Sequence, residues 1–365
     1  MNKVLLLLIV SYIFFLSGCG FKDIDKRFFA VSIGIDKSEN DAKSLKVSLK
    51  LAIPPEETGK SAEFEIYSEE GETITEAIEK IKSKIDKELD LGLVKVIILG
   101  EKIVEEDIGL VLDWFERHQE VQKIAWVAIG NPSAVDVLKV KPKSERIPSN
   151  TLILSFGEAG TESQYIVSQE LFRLSRSYFE KGVDPILPIV EAKKDYFLIE
   201  KAGVLSKGVL KLTLTKEETK MFKIITEGLE KTNFRLVNNN NLIMVAADKA
   251  RAKYFIQTPL DQQPFIQMDI NVNGSVEEQK SRKPITNEGL DKYEKIGEQD
   301  IKDIANLLLS KLQKESVDPI GFGVRYRSRH WEDPKTEWKD WKAIYPKLQF
   351  RINTYLNVKS TGITK

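Results

Sequence analysis

The sequence predicts a multi-domain α+β protein in which mixed and antiparallel sheets are packed by helices. Strand and helix patterns alternate across residues 61–140, as they do when helices cover a mixed or parallel sheet. Beyond residue 240, three strand-like runs follow one another at the spacing of an antiparallel meander. The chain is also long enough: 365 residues, 42% hydrophobic, can fill two or three cores at roughly 100 to 200 residues each.

Residues 28–35 (FFAVSIGI) and 44–53 are the first two strands, the second alternating through Leu45, Val47, Leu49 and Leu51. The run Pro54-Pro55-Glu56-Glu57-Thr58-Gly59 ends that pair and is the first candidate linker, because a proline pair followed by charge and glycine extends neither element. Thr73-Ile74-Thr75-Glu76 has the form of a capping box, in which threonine and glutamate satisfy free amides at a helix start. The helix it opens carries an apolar stripe through Ile74, Ala77, Ile78, Ile81, Ile85 and Leu89.

Residues 93–99 form the next strand and Gly100 turns the chain. Ile108, Val111, Leu112 and Phe115 mark a second helix, 124–129 another strand, and Asn131-Pro132 a short helix with proline at its first position. A charged, proline-punctuated stretch at 140–148 closes this module, placed at 61–145 within an N-terminal region 19–195. A helix over 165–180 and an extended segment 184–189 lead to the main boundary, near 192–200.

The C-terminal α+β domain, 196–365, starts with paired short strands over 202–214 and a second capping box, Thr215-Lys216-Glu217-Glu218, opening a helix to about 226. The meander follows at 242–247, 250–257 and 264–272, and Asn238 to Asn241 forms a solvated turn. Ile301, Ile304, Leu307, Leu308 and Leu312 mark a long amphipathic helix stopped by Asp318-Pro319, and 348–358 is a last strand.

The amino terminus has a different character. Lys3 precedes an apolar run at 4–15, the anatomy of a secretory signal peptide and too short for a bilayer span of about 20 residues. It leads into Leu16-Ser17-Gly18-Cys19, which resembles a bacterial lipobox and holds the chain's one cysteine. The lipobox implies removal of residues 1–18 and an S-diacylglyceryl group on Cys19, to which an N-acyl chain such as palmitate can be added. Two chains hold a protein stably at a membrane where one binds marginally. With Cys19 committed to lipid, no internal disulfide can form.

Charge excludes some functions. Lys+Arg 55 balances Asp+Glu 55, so no global field favours nucleic acid. Only the end is basic: residues 320–365 hold ten Lys or Arg against four acids, a solvated face or a docking surface for an acidic partner or lipid headgroups. His118 and His330 have no second His or Cys at ligand spacing and no adjoining nucleophile elbow, so neither a metal site nor nucleophilic catalysis is expected. Gly321-Phe322-Gly323 lacks the third glycine and preceding strand of a dinucleotide loop. No catalytic residue and no cofactor are assigned. Residues 320–341 interleave Arg325, Arg327 and Arg329 with Phe322, Tyr326, Trp331, Trp338 and Trp341; periodicity leaves helix and strand open for 320–330, and the aromatics suit a small core or a partner.

Several strings, taken in order, are similar to the Ger(x)C family, the C-subunit lipoproteins of bacterial spore germinant receptors. They are Cys19 in its lipobox, Ile33-Gly34-Ile35-Asp36-Lys37, Val96-Ile97-Ile98-Leu99-Gly100, Asp184-Pro185 to Pro188, and Asp318-Pro319-Ile320-Gly321-Phe322-Gly323 followed by Trp338 and Trp341. After the anchor the family usually shows a Trp-Asp pair, where this chain has Gly20-Phe21-Lys22-Asp23, so no role for that tryptophan carries over. The resemblance implies a non-enzymatic protein on the outer face of the spore inner membrane, working with integral-membrane A and B subunits in the response to nutrients. It also implies several mixed α/β domains, and Cys19 is the one residue to which it gives a chemical role. An extracytoplasmic solute-binding lipoprotein is the alternative, and a cell-wall hydrolase a third reading.

Overall fold

The computed structural model describes residues 26–41, 44–53, 63–143, 149–157, 163–238, 241–259, 262–281, 285–329 and 333–359. The fold is α+β. Cys19, the linker at 54–59, His330 and Trp331 lie outside the described residues, as does part of 140–148.

A large sheet holds β1 (Arg27–Lys37), β2 (Leu45–Ile53), β3 (Glu63–Gly71), β4 (Glu88–Asp90), β5 (Val96–Gly100), β6 (Trp126–Asn131), β7 (Ile186–Ala192), β8 (Phe197–Ser206) and β9 (Val209–Leu214). Its order is β3-β2-β1-β5-β6-β7-β8-β9, with β4 also paired to β1. The centre, β1-β5-β6-β7, is parallel and both flanks are antiparallel, so the sheet is mixed. Parallel strands need crossovers, and these supply the helices. They are α1 (Ile74–Lys82), α2 (Glu101–Glu106), α3 (Gly109–Arg117), α4 (Ala134–Lys139), α5 (Asn150–Phe156) and α6 (Leu171–Phe179).

The apolar string of β5 shows why the sheet is buried on both sides. Alternation sends Ile97 and Leu99 into a core with α1 and α3, and Val96 and Ile98 into a second core with α4 and α5.

Beyond β9 come α7 (Lys216–Thr226), β10 (Thr232–Asn238), β11 (Asn241–Gln257), β12 (Phe265–Gln279), α8 (Asn287–Lys314), α9 (Phe322–Arg327), α10 (Pro334–Ile344) and β13 (Gln349–Lys359). The second sheet runs β10-β11-β12-β13, antiparallel except that β13 lies parallel to β12 after a long crossover that includes the 28-residue helix α8. Its core also takes Ile186, Ala202, Val204, Leu212 and Leu214 from the large sheet. The boundary expected at 192–200 falls in the β7–β8 hairpin, and β8 and β9 complete the large sheet while packing against the second core.

Several local expectations change. Helix α1 stops at Ser83, whose hydroxyl donates to the Lys80 carbonyl, so Leu89 sits in β4 rather than on the helical stripe. Gly100 turns the chain directly from β5 into α2, which starts at the next residue. Pro132 precedes the helix cap. Ser133 takes that place because its hydroxyl can accept the Asp136 amide, at 3.1 Å, which proline cannot do.

The helix expected over 165–180 begins only at Leu171, because Glu170 pairs as a bridge with Trp126. The runs 242–247 and 250–257 are one strand with an irregularity between Ala247 and Lys249. Residues 322–327 are helical, which answers the question left open for 320–330.

Candidate functional site

Two pairs of distant strings quoted above meet in space, and each meeting is built on a buried aspartate. The first lies at the end of the parallel strands. Asp36, near the end of β1, accepts the Ala134 amide at 2.7 Å and the Val135 amide at 2.9 Å, the free donors at the start of α4. Gly100 closes β5 beside it. A side chain there would put its Cβ 2.0 Å from Asp36 Oδ1, so glycine is what lets the carboxylate reach the helix. Burial raises the Asp36 carboxyl, while the two amides and Lys46 pull it down and Asp136 pushes it up.

The second meeting joins the two halves of the chain. The Asp184 amide donates to the Asp318 carbonyl at 3.0 Å, and the Asp318 amide donates to Asp184 Oδ2 at 2.7 Å. Asp318 Oδ1 then accepts Gly321 and Phe322 amides at 2.9 and 3.1 Å, and Oδ2 the Gly323 amide at 2.7 Å. The Val324 amide reaches back to the Gly182 carbonyl at 3.0 Å. Gly182 has φ +95° and lies so close to Gly323 that a Cβ would sit 2.6 Å from its carbonyl carbon. We call this interlock the clasp.

Aromatic side chains wrap it. Phe322, Tyr326 and Trp341 are buried, with Tyr326 and Trp341 ring centres 5.3 Å apart and Trp341 and Tyr345 5.2 Å apart. The Tyr345 hydroxyl donates to the Val317 carbonyl at 2.7 Å. Arg327 crosses the junction, donating to Glu180 Oε1 at 2.8 Å and the Lys181 carbonyl at 2.7 Å. The described aromatics of 320–341 therefore finish a core, as one of the two expectations had it.

Burial dominates at the clasp. It pushes Asp318 up to about 7 against three amide hydrogen bonds, and the neighbouring Asp184 charge adds to the rise. Asp184 is likewise raised by burial, opposed by the Asp318 amide and the Ser206 hydroxyl. Asp318 is 4% exposed and its acceptor positions face backbone donors, so the pair serves to hold chain segments together rather than to meet a substrate.

A cleft of about 480 Å3 also opens between the halves, lined by Phe156, Glu170, Arg173, Lys223 and Glu227. Its charges answer one another. Arg173 pairs with Glu170 at 2.7 Å, and Lys223, lowered by burial, donates to the Ser163 carbonyl at 2.9 Å. Burial raises the Glu227 carboxyl, and Lys223 and Arg173 oppose that rise. His118 stacks on Trp114 with ring centres 4.5 Å apart, and its Nε2 lies 3.9 Å from Glu120. Among the described residues no three potential metal ligands cluster.

Two family models match the chain in order. The spore germination protein N-terminal domain matches residues 20–192, and the spore germination B3/GerAC-like C-terminal domain matches residues 200–362. The chain belongs to the Ger(x)C family of spore germination proteins.

The family's likeness extends over whole chains. Spore germination protein GerQC of Bacillus cereus is 25% identical over 100% of both chains, and spore germination protein B3 of Bacillus subtilis 23% identical over 97% of each. The crystal structure of the GerBC protein has the same fold, with a TM-score of 0.57 at 18% identity, over 89% of this chain and 96% of that one. The clasp spans the two matched segments, with Gly182 and Asp184 in the first and Asp318 to Val324 in the second.

Proposed function

We propose that the protein is a non-enzymatic, lipid-anchored C subunit of a spore germinant receptor, held through Cys19 on the outer face of the spore inner membrane. There it works with integral-membrane A and B subunits in the response to nutrients. The observation that carries this reading is the match of both spore germination domains, in order, to nearly the whole chain behind a lipobox. Whole-length relatives named as spore germination proteins support it as well.

The anchor fits the rest of the chain: no helix among the described residues is long and apolar enough to cross a membrane. Tethering also reduces the intrinsic affinity a subunit needs, because confinement raises its effective concentration beside its partners. In this reading residues 19–195 and 196–365 are carried on one anchor and share the large sheet through β8 and β9.

Replacing Cys19 by Ala should move the protein from the membrane to the soluble fraction and weaken nutrient-triggered germination while vegetative growth continues. Full membrane retention of that variant contradicts the anchor. Normal germination in a strain lacking this protein and its paralogues contradicts the receptor role.

A further inference from the structure

Two tight turns at one end of the large sheet carry an unexpected residue at the tip. Leu91-Gly92-Leu93-Val94 leads into β5 and closes with the Val94 amide on the Leu91 carbonyl at 3.1 Å. Gln122-Lys123-Ile124-Ala125 leads into β6 and closes with the Ala125 amide on the Gln122 carbonyl at 3.0 Å. The third residue of each is a large aliphatic, and both are exposed, Leu93 to 45% and Ile124 to 58%. Turns favour Gly, Pro, Asn, Asp and Ser, so an apolar tip at the same place in both needs a cause.

The turns form one surface. Gln122 Nε2 donates to the Gly92 carbonyl at 2.9 Å, and Lys95 Nζ donates to Gln122 Oε1 at 2.5 Å. Phe172, exposed in the first turn of α6, extends that surface, because its amide donates to the Lys123 carbonyl at 2.9 Å. Nearby cations are occupied by the protein. Lys123 Nζ donates to the Phe115 carbonyl at 2.7 Å and pairs with Glu116 at 3.2 Å, and Arg173 pairs with Glu170. Single exposed apolar residues are ordinary, whereas neighbours gathered at one end mark a contact surface.

Where the chain enters the fold says what covers them. Arg27, the first residue of β1, donates to Asp90 Oδ2 at 2.5 Å, and Asp90 Oδ1 accepts the Gly92 amide at 2.8 Å. The entry point is thus pinned beside the first turn. Cys19 lies seven residues before Lys26, a connection that spans about 25 Å at most. An inverted molecule would have to span the length of β1, 11 residues or roughly 35 Å, which that connection is too short to do.

We propose that the protein rests on the lipid bilayer through these turn tips, with Leu93, Ile124 and Phe172 entering the headgroup and upper acyl region. The parallel strands then point away from the membrane. The proposal rests on the anchor reading of Cys19 and adds to it a second contact and an orientation. Leu110 is equally apolar and 84% exposed, but it opens α3 beyond the far end of β5 and stays off the membrane.

Once Cys19 is acylated through its sulfur, a cysteine placed elsewhere is the one free thiol. The full-length acylated protein is reconstituted in phosphatidylcholine vesicles with a bimane attached at Ile124→Cys or at Leu110→Cys. A phosphatidylcholine bearing a nitroxide near the top of its acyl chain should quench the first at least about threefold more than the second. Leu93→Cys repeats the measurement at the other turn, and adding Ile124→Asp to it should lower its quenching by at least about half.

Vesicle flotation reports the anchor separately. Protein that floats while Ile124 and Leu93 are quenched no more than Leu110 overturns the orientation and leaves the anchor standing, with the turn tips free for a protein partner. Acylated protein that does not float removes the anchor reading and this proposal with it.

Discussion

Asp36 and Asp318 do the same work in different surroundings. Each is a buried carboxylate that accepts backbone amides at the start of a short helix, and each depends on a glycine whose missing side chain makes room. Asp36 ties a strand to a helix inside the N-terminal half, with Lys46 compensating its charge. Asp318 ties the two halves together with three amides and with another carboxylate, Asp184, as its neighbour. The difference teaches that hydrogen-bond count does not set the charge state: Asp318 has more donors than Asp36, yet burial and a like charge still push it up to about 7.

The largest effect should come from removing the clasp carboxylate. Asp318→Ala strips the acceptors from three amides at about 1–3 kcal/mol each, so a loss of roughly 3–9 kcal/mol is expected. Asp36→Ala, with two such amides, should cost less, roughly 2–6 kcal/mol. Urea denaturation of both variants measures the ratio. An Asp36 variant less stable than the Asp318 variant would reverse the comparison.

Cooperativity should differ as well. Asp318→Ala is expected to split unfolding into two transitions by uncoupling the halves, whereas Asp36→Ala keeps whatever cooperativity the wild type has.

Next in size is the pH dependence. The Asp318 carboxyl is higher in the fold, about 7, than in the unfolded chain, about 3.8, so between those values the folded protein holds the extra proton. Its contribution is therefore fully present below about pH 4 and is lost as pH rises toward 7, on the order of 2–4 kcal/mol. Asp184 shifts in the same direction, and the groups facing the pair include Tyr345, itself raised by burial and by both carboxylates, and Tyr254.

Other carboxylates oppose this trend. Glu191, for instance, is lowered by its hydrogen bonds to Lys193 and Lys201 and favours the fold at higher pH. The readout is thus the difference between wild type and Asp318→Asn measured at pH 4.5 and at pH 7.5. A stability gap between them that stays constant across that window would refute the protonation argument.

How much of this was legible in the sequence depends on how local the cause is. The strand at 45–51 and the stripe from Ile74 to Ile81 follow from alternation and from spacings of three and four, which need only neighbouring residues. Strand β3 (EFEIYSEEG) alternates only over Glu63 to Ile66, a weak signal, because it is the edge of the large sheet and none of its apolar side chains is fully buried. Strand β10 does alternate, burying Phe234 and Leu236 between exposed neighbours, but a seven-residue run beside the asparagine turn was too short to stand out.

The clasp was visible only as two matching strings 134 residues apart. Asp318-Pro319 was expected to stop a helix. Its second task, accepting the amides of 321–323, depends on where Gly182 places the chain, and no local pattern encodes that. The lipid site at Cys19 is the reverse case: it is legible as a string alone and lies outside the described residues.

The smallest effect separates the two capping boxes, which look alike in sequence. Thr215 and Glu218 complete theirs: the Thr215 amide donates to Glu218 Oε2 at 2.7 Å, the Glu218 amide to the Thr215 hydroxyl at 3.4 Å. Glu218 is buried and also receives Lys311 from α8 at 3.0 Å. At the N-terminal helix only half of the box forms, because the Glu76 carboxylate takes the Glu72 amide at 2.9 Å instead of the cap residue's own. That Glu76 carboxylate is lowered by Lys80 and is exposed to solvent, which can replace what it accepts.

Glu218→Ala should therefore cost about 2 kcal/mol, since it removes a buried carboxylate that accepts the Thr215 amide and pairs with Lys311, leaving Lys311 only the Thr213 carbonyl. Glu76→Ala should leave the unfolding midpoint close to that of the wild type. Equal losses at the two sites would mean that burial and the tie to α8 add nothing to the box, and that the motif's local geometry alone sets its worth.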